Sequence, residues 1–384
     1  MITCHHYAAG RCRSCTLIEQ PLSEQLRAKQ RACLDALSAW PELHWLGPVS
    51  GPVSGPEAGF RNKAKMVVSG TADAPVLGIL DAQGRGVDLR DCPLYPPAMQ
   101  AAFDPILDLI RAARLEPYDV PARRGELKYV LLTRCDQSGE MMLRLVLRSR
   151  GPIEAIRARL PDLLAALPLL LVVSVNLQPE HKAVVEGDEE VVLTERQTLT
   201  MWLNGLPLHL RPRSFFQTNS HVAAALYREA AGWVGEIRPK GMWDLFCGVG
   251  GFALHCARHV DGPVTGIEVS AEAIDSARQT AAELGLGNTH FRALQAADFA
   301  LGQAEVPELV LVNPPRRGIG AALCAFLDAS AADWLIYSSC NPASLAHDLA
   351  RLPSFEPVRA RLFDIFPHTS HSEVLVLLRR KTPL

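Results

Sequence analysis

The stretch GMWDLFCGVGGFAL, Gly241–Leu254, decides the fold. A short apolar run ends in a turn holding Gly248, Gly250 and Gly251, and an apolar helical pattern begins directly behind it. Glycines at a strand-to-helix turn let the backbone approach a ligand that side chains would exclude. Outward from this turn, from Leu206 to the end of the chain, strand-like and helix-like segments alternate. They read PVTGIE, a helix over Ala271–Leu284, THFRAL, ELVLVNPP, a helix, WLIYSSC, a helix, and a last pair of strands ending EVLVLLRR. This alternation predicts an α/β class with a doubly wound, Rossmann-like, largely parallel sheet whose ligand edge lies at the carboxyl ends of the strands.

The rest of the 384 residues, 48% hydrophobic, is too long for one ordinary core. Three sections are expected. Residues 1–97 hold a cysteine-rich start, a helix over Pro21–Leu37, the tandem GPVSGPVSGP from Gly47 to Pro56, and strands KAKMVVSG and VLGIL. The tandem reads as a loop or linker, since its prolines and glycines cannot hold a helix or a central strand. Residues 98–205 read as an α+β domain, with a helix over Ala98–Arg114, strands KYVLLTRC and MMLRLVLRS, a second helix through Leu167, and strands LLVVSVNLQ and EVVLT. Residues 206–384 form the alternating domain. The longest apolar run, LLAALPLLLVVSVNL, is broken by Pro168, Ser174 and Asn176 and is too short for a membrane span. The start MITCHHYAAGRCRSC lacks the apolar stretch of an export signal, so the cytoplasm is the expected compartment. In that compartment, ten cysteines argue for metal or catalytic use rather than a disulfide scaffold. A net charge of −2 gives no global footprint of nucleic-acid binding, but basic residues cluster in FRNKAK, ARRGELK and RLVLRSR.

The chemistry follows from the strand ends. Glu268 closes the strand after the glycine turn, where a carboxylate accepts both ribose hydroxyls, and Asp298 is expected to assist from the third strand. CGVGGF lacks the spacing of a dinucleotide loop and suits S-adenosyl-L-methionine, which has no phosphates. NPPRRG, Asn313–Gly318, adds a rigid turn beside the sulfonium, with the Asn313 carbonyl oxygen available there. YSSCNP sets Cys340 where the next strand runs out, over the same edge. An amine acceptor needs no covalent help, whereas C5 of a pyrimidine does: a thiolate adding to C6 makes C5 nucleophilic. The C5 proton then needs a base. HTSHSEVLVLL offers Glu373, with His368 and His371 as alternatives, and Cys247 is a rival nucleophile.

FQTN, DLFCGVGG, GIE, NPPRRG, SSCNP and HSE, in this order, resemble the RNA uracil-5-methyltransferases over nearly the whole chain. The resemblance implies Cys340 as nucleophile, Glu373 as the base for the C5 proton, and Gln217, Phe246, Glu268 and Asn313 as contacts of the methyl donor. Many members carry Asp where Asn313 stands. Cys4, Cys12 and Cys15 form C-x7-C-x2-C with Cys92 as a distant fourth, a set that suits tetrahedral zinc or a cubane cluster. His5 and His6 compete as zinc ligands, though their adjacency is expected to point the rings apart. The resemblance implies a [4Fe-4S] cluster on the four cysteines, so the N-terminal section is expected to be an iron–sulfur region. It also implies a hairpin-loop uridine of 23S rRNA as substrate. Arg61, Lys63 and Lys65 are the expected phosphate contacts, and a monomer is the expected unit. Other readings are the same chemistry on another rRNA or tRNA uridine, an amino-methyltransferase, for which an aromatic would stand at Arg316, and a metal-stabilised RNA-binding protein without turnover.

Overall fold

The computed structural model describes residues 2–49, 56–182 and 184–382. After the helix Leu22–Ala36 comes β1 (His44–Val49). Next, β2 (Lys63–Gly70), β3 (Pro75–Leu80), β4 (Gly86–Asp88), β5 (Leu127–Arg134), β6 (Met141–Leu147), β7 (Leu170–Leu177) and β8 (Glu189–Val192) form one sheet in the order β4-β3-β2-β5-β6-β7-β8. Its pairs are antiparallel except β6 with β7, where the helix Ile153–Ala166 makes the crossover that a parallel pair requires. Phe103 and Ile106 of the helix Pro97–Ala112 meet Leu132 and Leu143 of the sheet in one buried core.

β9 (Leu199–Leu203) and β10 (Leu206–Leu210) form a hairpin around Asn204 and Gly205, whose φ values of 52° and 80° suit a tight two-residue turn. β11 (Met242–Leu245), β12 (Val264–Glu268), β13 (Thr289–Ala293), β14 (Leu309–Val312), β15 (Trp334–Ser339), β16 (Phe355–Phe363) and β17 (Glu373–Arg380) complete an eight-stranded sheet with β1, in the order β1-β16-β17-β15-β14-β11-β12-β13. β11 and β14 are buried at every position, as expected for parallel strands covered on both faces. Strand order reverses between them, and this opens the crevice in which doubly wound sheets bind ligands. β17 alone runs against both of its neighbours, β15 and β16.

The three expected sections interleave. β2–β4 share a sheet with β5–β8, so the break expected at 97/98 divides one sheet. The helix Leu22–Ala36 and β1 belong with the C-terminal sheet, and the break at 205/206 cuts the β9–β10 hairpin. Gly47, Pro48 and Val49 of the expected linker form the end of β1. The strand tolerates proline because it lies at the sheet edge, with a register shift between Trp45 and Pro48. Residues 50–55 of that tandem lie outside the described residues.

Asn62 joins the two sheets. Its buried Nδ2 donates to the Gln217 carbonyl (2.9 Å) and to Ser220 Oγ (2.8 Å), while its own carbonyl accepts from the Arg134 amide (2.8 Å). Asn62→Ala leaves two buried acceptors without this donor and should cost about 1–3 kcal/mol, read as a lower urea midpoint with an unchanged slope.

Candidate active site

A cavity of about 680 Å³ opens at the carboxyl edge of the C-terminal sheet. Gln217, Phe246, Glu268, Asn313, Cys340 and Glu373, far apart in sequence, all line it.

One half surrounds the glycine turn after β11. Phe246, Gly248 and Gly250 take φ values of 67°, 55° and 82°, so the chain turns back sharply after β11. A bulky residue in the left-handed region is a strained conformation, held here by its surroundings. Gly251 packs under Tyr227, whose hydroxyl oxygen would lie 2.6 Å from an added Cβ. The Glu268 carboxylate accepts from the Gly248 amide (3.3 Å) and the Ser270 amide (3.0 Å), which fixes it beside the glycine turn. The Asn313 amide donates to the Leu245 carbonyl (3.3 Å) and ties the end of β14 to β11. Asp244, not singled out in the sequence, is fully buried, and its Oδ2 accepts from the Ala253 amide (2.8 Å), locking the turn onto its helix. Burial pushes its carboxyl up to about 8.

The other half holds the Cys340 thiol and the Glu373 carboxylate. Cys340, half-buried, follows β15 and precedes the helix Pro342–Leu349, whose first turn is capped by Asn341 Oδ1 accepting from the Ala343 amide (3.2 Å). Asn341 Nδ2 also donates to the Arg316 carbonyl (3.0 Å). Burial and the nearby Glu373 push the Cys340 thiol up, and Arg316 opposes them. Glu373 is 3% exposed, and burial raises it to about 7 although Ser338 Oγ donates to its Oε1 at 2.5 Å. The register explains the meeting: Ser339 pairs with Val374, and one step further sets Cys340 opposite Glu373. Ser338 escaped the sequence reading because a serine inside an apolar strand carries no signal.

His371 lines the cavity with Nδ1 3.3 Å from an Arg316 nitrogen. His368 does not line it. Buried, it donates from Nε2 to the Glu57 carbonyl (2.6 Å) and accepts at Nδ1 from Gln25 (3.3 Å), so both ring nitrogens are used structurally. Cys247 lines the half around the glycine turn, but burial and the neighbouring Asp244 and Glu268 hold its thiol well above the usual range. The expectation for Asp298 is corrected: β13 ends at Ala293, and Asp298 is exposed on the helix Ala296–Leu301 while Gln295 reaches the cavity. Phe215, also missed, stands 71% exposed at the cavity wall and offers a bare aromatic face.

The N-terminal cysteines converge. Burial, then repulsion from Cys92, Cys12 and Cys4, pushes the Cys15 thiol up to about 12, and Cys92 is raised to about 11. Arg61 faces this group and hydrogen-bonds Tyr95, so it is turned towards thiols rather than a phosphate. Lys63 is half-buried beside Arg144 and Glu186, which leaves Lys65 as the exposed cation of the three. In the other basic stretches, Arg144 is buried on Glu186 and Glu190, and Lys128 is buried on Gln178. The rings of His5 and His6 lie 3.9 Å apart and both reach Asp91, at 3.2 and 2.6 Å, so adjacency does not point them apart.

A family model described as tRNA (Uracil-5-)-methyltransferase matches residues 196–381. A 23S rRNA (uracil(747)-C(5))-methyltransferase RlmC from Halothiobacillus neapolitanus is 56% identical, over 98% of this chain and 99% of that protein. The chain belongs to the RNA uracil-5-methyltransferase family. RlmC from Cronobacter sakazakii is 54% identical over 98% of this chain and all of that one. The solved Pyrococcus abyssi tRNA (uracil-54, C5)-methyltransferase in complex with S-adenosyl-L-homocysteine shares the fold, with a TM-score of 0.78 at 23% identity, over 95% of this chain and 85% of that one. No helix among the described residues is long and apolar enough to cross a membrane.

The buried Glu373 carboxylate opposes folding at neutral pH. A carboxyl raised from 4.5 to about 7 contributes most to stability below pH 4.5 and loses that contribution as pH rises through 7, a difference of roughly 3 kcal/mol. Glu373→Gln should therefore raise the melting temperature at pH 8, with the gain shrinking towards pH 5.

Proposed function

We propose that this chain methylates C5 of a hairpin-loop uridine in 23S rRNA, with S-adenosyl-L-methionine as donor, through a covalent adduct between Cys340 and uracil C6. The observation that carries this reading is that the Cys340 thiol and the buried Glu373 carboxylate share one cavity with the glycine turn. Full-length similarity to the RlmC proteins supports 23S rRNA as the substrate.

Gln217, Phe246, Glu268 and Asn313 hold the donor, with Glu268 accepting from the ribose hydroxyls. The target base leaves its stack at a cost of a few kcal/mol, kept low in a loop, and Phe215 supplies a surface on which a base can stack. Cys340 loses its proton to water, helped by the Arg316 charge and the following helix N-terminus. The thiolate adds to C6, and the C5–C6 π pair moves towards C5 as an enolate. C5 displaces the methyl group from the sulfonium and leaves S-adenosyl-L-homocysteine. Glu373 takes the C5 proton, the C5=C6 bond re-forms, and the sulfur departs.

The four N-terminal cysteines suit a [4Fe-4S] cluster. Arg61 offsets the negative charge of such a group. When bound, the cluster would fasten the N-terminal segment to the Cys92 loop. Anaerobically purified protein should contain iron and acid-labile sulfide in equal amounts, and zinc in their place would refute the assignment.

With unmodified 23S rRNA and labelled donor, the product should be 5-methyluridine. Cys340→Ala should abolish turnover, and Glu373→Gln should accumulate a methylated protein–RNA adduct. Decay of the adduct in the parent enzyme requires ionised Glu373, so its rate should rise with pH through about 7. Ser338→Ala removes a donor that favours the carboxylate and should move this midpoint upward.

A further inference from the structure

The helix Leu22–Ala36 turns polar side chains inward. Gln25, Lys29 and Cys33 are spaced one turn apart on a single face, and none is more than 3% exposed. Each grips a different point of the loop between β16 and β17. Lys29 Nζ donates to Asp364 Oδ1 (2.5 Å) and to the Phe366 carbonyl (3.0 Å). Gln25 Oε1 accepts from the His368 amide (2.8 Å), and Cys33 hydrogen-bonds Ser372. His368 sits at φ 66°, and its carbonyl accepts from the Leu17 amide (2.9 Å), two residues beyond Cys15. The same loop sets Phe366 and His371 in the cavity wall and delivers Glu373. Its helix also packs on the helix Pro342–Leu349 that follows Cys340.

A buried ion pair is a poor device for stability alone, since well-packed apolar residues of similar size often serve as well. Asp364 is fully buried, and its Oδ2 has no hydrogen-bond partner among the described residues, so the arrangement is not optimised for folding energy. What it does fix is the path of the backbone into Glu373.

We propose that Lys29, paired with Asp364 and assisted by Gln25, is a positioning residue that holds the β16–β17 loop so that Glu373 meets the C5 proton of the adduct. The inference rests on the covalent route above, because the step it governs is proton removal from the methylated adduct. Through Leu17 and His368, the cysteine-bearing segment braces the same loop.

The test uses full-length protein carrying Lys29→Met and Asp364→Leu together, with the single Glu373→Gln variant as reference. Affinity for S-adenosyl-L-methionine and the rate of adduct formation should match the parent. Turnover should fall about tenfold or more, as expected when a catalytic group is misplaced by a fraction of its reach. The methylated protein–RNA adduct should accumulate, as in Glu373→Gln. Parental turnover without adduct in the paired variant, while Glu373→Gln traps adduct, would overturn the inference and leave the base assignment standing. If Glu373→Gln traps nothing, the base assignment falls and the inference with it. Should the paired variant not fold, Gln25→Met carries the test, since it frees His368 without stranding a charge. Adduct accumulation then supports the positioning role, and parental turnover refutes it.

Discussion

β17 runs antiparallel between β15 and β16, and the active site depends on that reversal. In an all-parallel sheet, the first residue of a strand lies at the edge opposite the ligand crevice. Inverting this one strand brings its first residue, Glu373, to the edge where β15 ends and Cys340 begins. The Cys340 thiol and the Glu373 carboxylate thus meet where two adjacent strands end and begin, set by the β15–β17 ladder and by the loop that leads into Glu373. The half around the glycine turn needs no such inversion, because the ends of β11, β12 and β14 already converge at the switch point.

The electrostatics follow from the burial this placement imposes. A carboxyl held near 7 is ionised often enough to take a proton and is a stronger base than an exposed glutamate. Its charge also opposes ionisation of Cys340, so the two groups cannot both be charged cheaply. Arg316 and the helix after Cys340 counter this on the thiol side, and Ser338 does so on the carboxylate side. Asp244 adds a second buried carboxyl under the glycine turn. Folding energy is thus given up at the site, while the three large cores carry the stability.

Most of the catalytic sheet was legible, because period, glycine turn and motif all pointed the same way there. Each of the six residues expected at the donor and catalytic positions lies on the cavity wall. What escaped was non-local. The polar stripe Gln25, Lys29 and Cys33 reads as one face of a solvated helix until its partners, more than three hundred residues away, are known. Arg144 and Lys128 read as cations open to RNA because the groups that bury them, Glu190 and Gln178, lie far along the chain. Asp298 was misplaced because β13 stops before the pattern suggests. Interleaving of the sections is invisible locally, since β1 and β2 give no sign that they join different sheets.

The central claim is that the Cys340 sulfur bonds reversibly to C6 of the target uracil. Replacing that uridine with 5-fluorouridine removes the proton that Glu373 must take and so freezes the adduct. Mass spectrometry of the digested complex should find the Cys340 peptide joined to a methylated fluorouridine. A folded, donor-binding enzyme that leaves this peptide unmodified would contradict the account.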